Sequence, residues 1–152
     1  MKNTTLIILI LFLYSCGYSS IYKNQTSQNF KINIIEKKGN SEMNNLIKNE
    51  IKLYSVKNTT NIYNLKIDTD YKKEILTKDS AGIITDYKLS VTSIFKVDLK
   101  GVTKVIELKE TINIKNQSDS FEQNTYEKNI KRSFASSIRE KLISEILNIN
   151  DN

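Results

Sequence analysis

The stretch that decides the fold is Asp86-Tyr87-Lys88-Leu89-Ser90-Val91-Thr92-Ser93-Ile94-Phe95-Lys96-Val97-Asp98-Leu99, with its return through Lys100-Gly101 to Ile106-Glu107-Leu108-Lys109-Glu110-Thr111-Ile112-Asn113-Ile114. Tyr87, Leu89, Val91, Phe95, Val97 and Leu99 fall on one face of an extended chain, and Asp86, Lys88, Ser90, Thr92, Lys96 and Asp98 on the other. Side chains alternate across a strand, so this period predicts a half-buried strand. Lys100-Gly101 closes a tight hairpin, the glycine supplying the positive φ that such a turn demands. The returning strand sets Ile106, Leu108, Ile112 and Ile114 against Glu107, Lys109, Thr111 and Asn113. Long alternating neighbours imply an antiparallel sheet with one covered face and one polar face open to water or to a partner.

Working outward, Asp79-Ser80-Ala81-Gly82 reads as a turn. Before it, Tyr63, Leu65 and Ile67 alternate with Asn64, Lys66 and Asp68 in a strand that continues irregularly to about Thr77. Phe30-Lys31-Ile32-Asn33-Ile34-Ile35 alternates in the same way, and Gly39-Asn40-Ser41 breaks the chain and offers a helix N-cap. Met43, Leu46, Ile47, Ile51 and Tyr54 then mark one face of an amphipathic helix, with Glu42, Lys48, Glu50 and Lys52 on the others. Asn116-Gln117-Ser118-Asp119-Ser120 reads as a loop. A long helix follows, with Tyr126, Ile130, Phe134, Ile138, Leu142, Ile146 and Ile149 as its apolar stripe; Lys128, Lys131, Arg132, Arg139, Glu140, Lys141 and Glu145 are its solvated side. The expectation is an α+β domain over residues 30–152, with two helices packed on one face of a four-stranded mixed sheet in the order β-α-β-β-β-α. If the helix-linked strands are parallel neighbours, their crossover is right-handed.

The first residues carry a targeting signal. Met1-Lys2-Asn3-Thr4-Thr5 is short and basic, and Leu6–Tyr14 is an unbroken apolar run. That run is too short for a bilayer span of about 20 residues but suits the core of an export signal. It ends at Leu13-Tyr14-Ser15-Cys16-Gly17, a bacterial lipobox in which Cys16 accepts the lipid and becomes the first mature residue. Tyr14 is bulkier than that pattern prefers. Residues 1–15 are then a cleaved signal, and 16–29, polar and without period, a lipidated tether. With no second cysteine, an internal disulfide is excluded. Gly17 is not the Asp that retains enterobacterial lipoproteins in the inner membrane, so the expected destination is the outer membrane, on its periplasmic side.

The chain has no His, Pro or Trp and one Cys. Most site chemistry therefore lacks its parts: no His-based metal centre, no Ser-His or Cys-His nucleophile, no thiolate cluster. Neither a cofactor nor catalysis is expected. A carboxylate pair such as Glu107 and Glu110 falls on opposite faces of one strand. The whole chain carries a net charge of +6, and removal of residues 1–15 takes one lysine and no acid, leaving +5. Export argues against nucleic acid, so the anionic partners left are lipid headgroups and lipopolysaccharide (LPS) phosphates. Solubilising lysines in a chain rich in Asn, Lys and Ile account for the charge equally well.

The mature start Cys16-Gly17-Tyr18-Ser19-Ser20-Ile21-Tyr22 is similar to the Cys-Gly-aromatic opening of the alphaproteobacterial LPS-assembly lipoproteins, the LptE family. The Asp86-Tyr87-Lys88-Leu89 strand and hairpin also resemble that family. So does the last helix, with Tyr126, Phe134-Ala135 and Ile138-Arg139-Glu140-Lys141-Leu142-Ile143. The resemblance implies two helices on a four-stranded mixed sheet and a non-catalytic role. It further implies a partner, the outer-membrane β-barrel LptD, which the lipoprotein plugs and helps assemble while aiding LPS delivery. The polar strand face, with Asp86, Lys88, Thr92, Lys96, Glu107 and Lys109, suits the polar interior of a barrel. From charge and position, Lys100 and Lys104 near the hairpin tip are candidate LPS contacts, with Lys72, Lys73 and Lys78 next; the alternative for each is an ordinary solvated lysine. A second reading is an accessory lipoprotein of another envelope lipid-transport system, which needs an apolar groove.

Overall fold

The computed structural model describes residues 30–53, 59, 61–99 and 101–150. Cys16, the signal and tether segments, Tyr54 and Lys100 lie outside the described residues, as do the side chains of Leu99 and Ile149. The elements are β1 (Lys31–Gly39), α1 (Ser41–Lys52), β2 (Ile62–Lys78), β3 (Ile84–Leu99), β4 (Val102–Lys115) and α2 (Ser120–Asn150). They form one four-stranded sheet in the order β1-β2-β3-β4, with β1 and β2 parallel and the other pairs antiparallel. The expected α+β architecture and element order are those observed.

Alternation sets the two faces. Tyr63, Leu65, Ile67, Leu89, Val91, Phe95, Val97, Ile106 and Ile114 are buried beneath the helices. From α1 come Met43, Ile47 and Ile51, and from α2 come Phe134, Ala135, Ile138, Leu142, Ile143 and Ile146. Phe30 closes one end, edge-on to Tyr63 at 5.7 Å between ring centroids. Positions 69 and 93 share the inward parity although both residues are hydroxylic. Thr69 and Ser93 sit opposite one another, fully buried, and hydrogen-bond to each other at 3.0 Å. Each thereby satisfies a group that would otherwise be costly to bury.

The strands outrun their apolar patterns. β1 continues through Glu36-Lys37-Lys38-Gly39, paired with Lys66–Thr69 of β2 after an irregularity between Ile34 and Glu36. Backbone pairing needs no apolar side chain, and an edge strand with an open face tolerates lysines. Asn40 caps α1, its side chain accepting from the Met43 N–H at 3.0 Å. Asp79 shapes the β2–β3 turn by accepting from the N–H groups of Ala81 and Ile83. Asp119 accepts from the Glu122 N–H at the start of α2.

Three positions on α2 and one face of the sheet differ from expectation. Arg139 is not solvated: it is 8 % exposed and meets Glu50 of α1 at 3.7 Å and Glu140 at 3.3 Å. The reason is that α2 is covered on two sides, by the sheet and by α1, so its buried sector is wider than one stripe. Tyr126 is exposed, and the positions facing inward at this end of α2 are polar, Gln123 and Glu127. Lys131 is shielded rather than solvated, paired with Glu42 at 2.6 Å and lying over the Tyr71 ring. The open sheet face, expected to be polar, also carries the partly exposed Ile94 and Val105.

Candidate functional site

β2 and β3 have 17 and 16 residues, so at about 3.3 Å per residue each spans roughly 53–56 Å. The helices cover one side of this sheet only. The other side is an open, mixed-charge surface whose pairs follow from the register. Glu74 lies across from Lys88, Ile94 between Asp68 and Glu107, and Lys109 beside Thr92. Glu36 on β1 bridges Lys38 at 3.1 Å and Lys66 at 3.0 Å. Hydrogen bonds from Lys66 and then Lys38 hold its carboxyl below the usual range. Near the Phe30 end of the open face is a shallow concavity of about 540 Å³. Ile35 and Ile94 line it together with Lys38, Lys66, Lys96 and the carboxylates of Glu36, Asp68 and Asp98.

The lysines proposed from sequence are not brought together. Lys104 pairs with Val97 in the ladder and Lys78 with Ile84, thirteen residues farther along β3, so about 43 Å separates them. Lys104 faces Glu145 of α2 at 3.6 Å. Lys72 is on the open face beside Asp70 at 3.1 Å. Lys73 points to the helix side, where it pairs with Glu127 and lies 4.0 Å from the centre of the Tyr87 ring. Lys78 is exposed at the end of β2. Glu107 and Glu110 occupy opposite faces of β4, Glu110 meeting Ser137 at 2.6 Å and Lys141 at 2.8 Å on α2. Among the described residues no group of three His, Cys, Asp or Glu side chains is arranged to hold a metal.

Sequence reasoning missed a polar layer between the sheet and α2 that begins at the first turn of α1 and extends past it. Gln123 donates to Glu127 at 2.7 Å, and Glu127 pairs with Lys73. Lys131 and Glu42 close the layer over Tyr71. Burial, then the Glu127 and Glu42 carboxylates, push the Tyr71 hydroxyl up to about 12, and that buried oxygen has no hydrogen-bond partner among the described residues. Tyr71→Phe is therefore expected to raise stability by about 1 kcal/mol in urea denaturation, because it removes an unsatisfied buried group and keeps the ring. The signal was present in the sequence: Gln123 and Glu127 are four residues apart on the face that continues to Ile130 and Phe134.

The acid side of the stability profile follows from the same contacts. Burial alone would raise the Glu110 and Glu127 carboxyls, but Lys141 and Ser137 on one, and Lys73 and Gln123 on the other, bring both below their ordinary 4.5. A carboxyl lowered in the folded state stabilises above its unfolded value and loses that contribution as pH falls through its folded value. Urea midpoints should thus be level above about pH 5.5 and fall steadily below 4.5, with Lys141→Met removing part of that slope.

Solved structures share this fold. Rare lipoprotein B from Shewanella oneidensis superposes with a TM-score of 0.58 at 14% identity, over 79% of this chain and 98% of its own. A candidate lipoprotein from Caulobacter crescentus CB15 does so at 0.60 with 6% identity, over 79% and 90%. A minor lipoprotein from Acinetobacter baumannii matches at 0.52 with 12% identity, over 76% and 92%. Similarity at these identities is similarity of fold. No family model matches the chain, and no curated protein matches it.

Proposed function

We propose that this chain is a lipid-anchored outer-membrane lipoprotein facing the periplasm. In this reading it plugs the LptD β-barrel, helps assemble it and aids delivery of LPS to the cell surface. The observation that carries this reading is the open sheet face, polar along most of a length of roughly 50 Å. A barrel crosses a hydrocarbon layer of about 30 Å and presents a polar lumen. A charged, pleated surface longer than that layer can line such a lumen throughout and satisfy its hydrogen-bonding groups. The lipobox at Leu13–Gly17 and the fold shared with lipoproteins point the same way.

In this reading Cys16 takes the lipid, and lysines on exposed turns and edges, Lys72 and Lys78 among them, offer charge-assisted hydrogen bonds to phosphate. Lys73 and Lys104 reach phosphate only by leaving Glu127 and Glu145. The alternative, an accessory of another lipid-transport system, needs an apolar groove for acyl chains. The concavity on the open face has three isoleucines among its lining but six charged groups around them, a lining better matched to polar surface.

Depletion of the protein tests the proposal. Surface LPS and the mature barrel should both decline, and persistence of both would refute it. Cys16→Ala should release the protein from the membrane fraction, read by fractionation, while surface LPS falls only as far as the barrel fails to hold the domain.

A further inference from the structure

The described chain enters the domain at Phe30, and the other elements return to that end. Lys31 pairs with Ile62 at the start of the parallel strands, and its N–H donates to the Asn61 carbonyl at 2.8 Å. α1 runs back from the far end of β1 toward Phe30, its twelve residues rising about 18 Å against the roughly 30 Å of β1, and finishes at Leu53. The β3–β4 turn arrives there as well, since Asp98 lies opposite both Asn64 and Thr103. The last turns of α2 do the same, with Glu145 beside Lys104. Val102 at 70% exposure and Ile62 at 45% stand in solvent at this end, and Leu53 at 77% stands in solvent where α1 finishes on the way to it. Lys31 and Lys52 are exposed at the same end.

The opposite end is also apolar, with Ile75, Leu76, Ile83 and Phe121 exposed. Apolarity alone does not choose between the ends; chain length does. Residues 16–29 separate Cys16 from Phe30, and fourteen residues span at most about 50 Å when fully extended. The Phe30 end stays within reach of a membrane holding the Cys16 lipid at every extension of that segment. The far end, some 50 Å beyond, reaches it only if the domain inverts with the segment drawn out alongside.

We infer that the Phe30 end docks on the lipid surface, with Leu53, Ile62 and Val102 seated among the headgroups and Lys31 and Lys52 against anionic lipid phosphates. An apolar rim flanked by lysines is the composition that binds an anionic interface, and the anchor makes this contact intramolecular. The inference rests on lipidation of Cys16 and not on the barrel partner. In the barrel-free state this docking sets the long sheet upright, with the β2–β3 turn projecting away from the bilayer, a posture the domain leaves when the open sheet face enters a barrel.

The test uses the full mature lipidated chain in barrel-free vesicles of phosphatidylethanolamine and phosphatidylglycerol, three to one. Acylated Cys16 has no free thiol, so a fluorophore can be placed at Val102→Cys or Ile83→Cys alone. Spin-labelled lipid should quench the label at 102 at least threefold more than the label at 83. Adding Leu53→Asp and Lys52→Glu should bring quenching at 102 down to the level at 83, with the circular dichroism spectrum unchanged. Equal quenching at both sites, stronger quenching at 83, or no response to the double substitution would overturn the docking. The mass of the N-terminal peptide is read on the same sample: an unmodified Cys16 overturns the anchor and this inference together, whereas acylated Cys16 with equal quenching overturns the docking alone.

Discussion

Gly39→Ala is expected to destabilise the domain by about 3 kcal/mol, combining left-handed backbone strain with a steric clash. Gly39 has φ +76°, and a Cβ built there would lie 2.1 Å from the Thr69 carbonyl oxygen. That oxygen belongs to the backbone of β2 and also accepts the Asn40 N–H at 2.6 Å, so it cannot swing aside without loss. The glycine ends β1 against β2 and lets the chain turn directly into the Asn40 cap of α1. Chemical denaturation should show a lowered midpoint with an unchanged slope. An alanine variant as stable as the parent would mean that β1 and β2 are not registered Gly39 to Thr69.

Phe95→Ala should cost about 4 kcal/mol, within the usual range for truncating a buried aromatic. Phe95 lies on β3 between Ile67 of β2 and Ile106 of β4, and none of its surface is exposed. Neighbours anchored in a continuous ladder cannot collapse into the space it leaves. Leu53→Ala, at an exposed helix end, is the control and should change stability by less than about 0.5 kcal/mol. Equal effects from the two would contradict the placement of the core under the helices.

The sequence made the architecture legible where alternation was strong. β3 and β4 could be paired from their faces alone, and the α1 stripe from Met43 to Ile51 was read correctly because α1 is covered on one broad side. Counting parity through Ser93 and Thr69 would also have placed that hydroxyl pair inside. What escaped was set by contacts between elements. Arg139 belongs to a second stripe with Ala135, Ile143 and Leu147, which becomes an inner face only when α1 packs beside α2. Tyr126 faces outward because Gln123 and Glu127 face in, meeting Lys73 where the sheet outruns α1. The lysine candidates were chosen by their positions near turns, whereas their faces and their separation depend on a ladder register that no local pattern encodes.

This explains why the candidate surface is a face rather than a cluster. Long strands with one side uncovered expose many weak polar positions, and no single side chain announces them. The corollary is that single substitutions on the open face, such as Thr92→Ala or Lys96→Ala, should have little effect on stability, while a barrel contact would depend on several of them at once.

The most direct measurement is extraction of the lipidated protein from LPS-producing cells in mild detergent, followed by affinity purification and mass spectrometry of what comes with it. A large outer-membrane β-barrel should be recovered in near-equal amount, and should be lost when several open-face charges are reversed together. Recovery of the protein as a free monomer from such cells would contradict a barrel-plugging role.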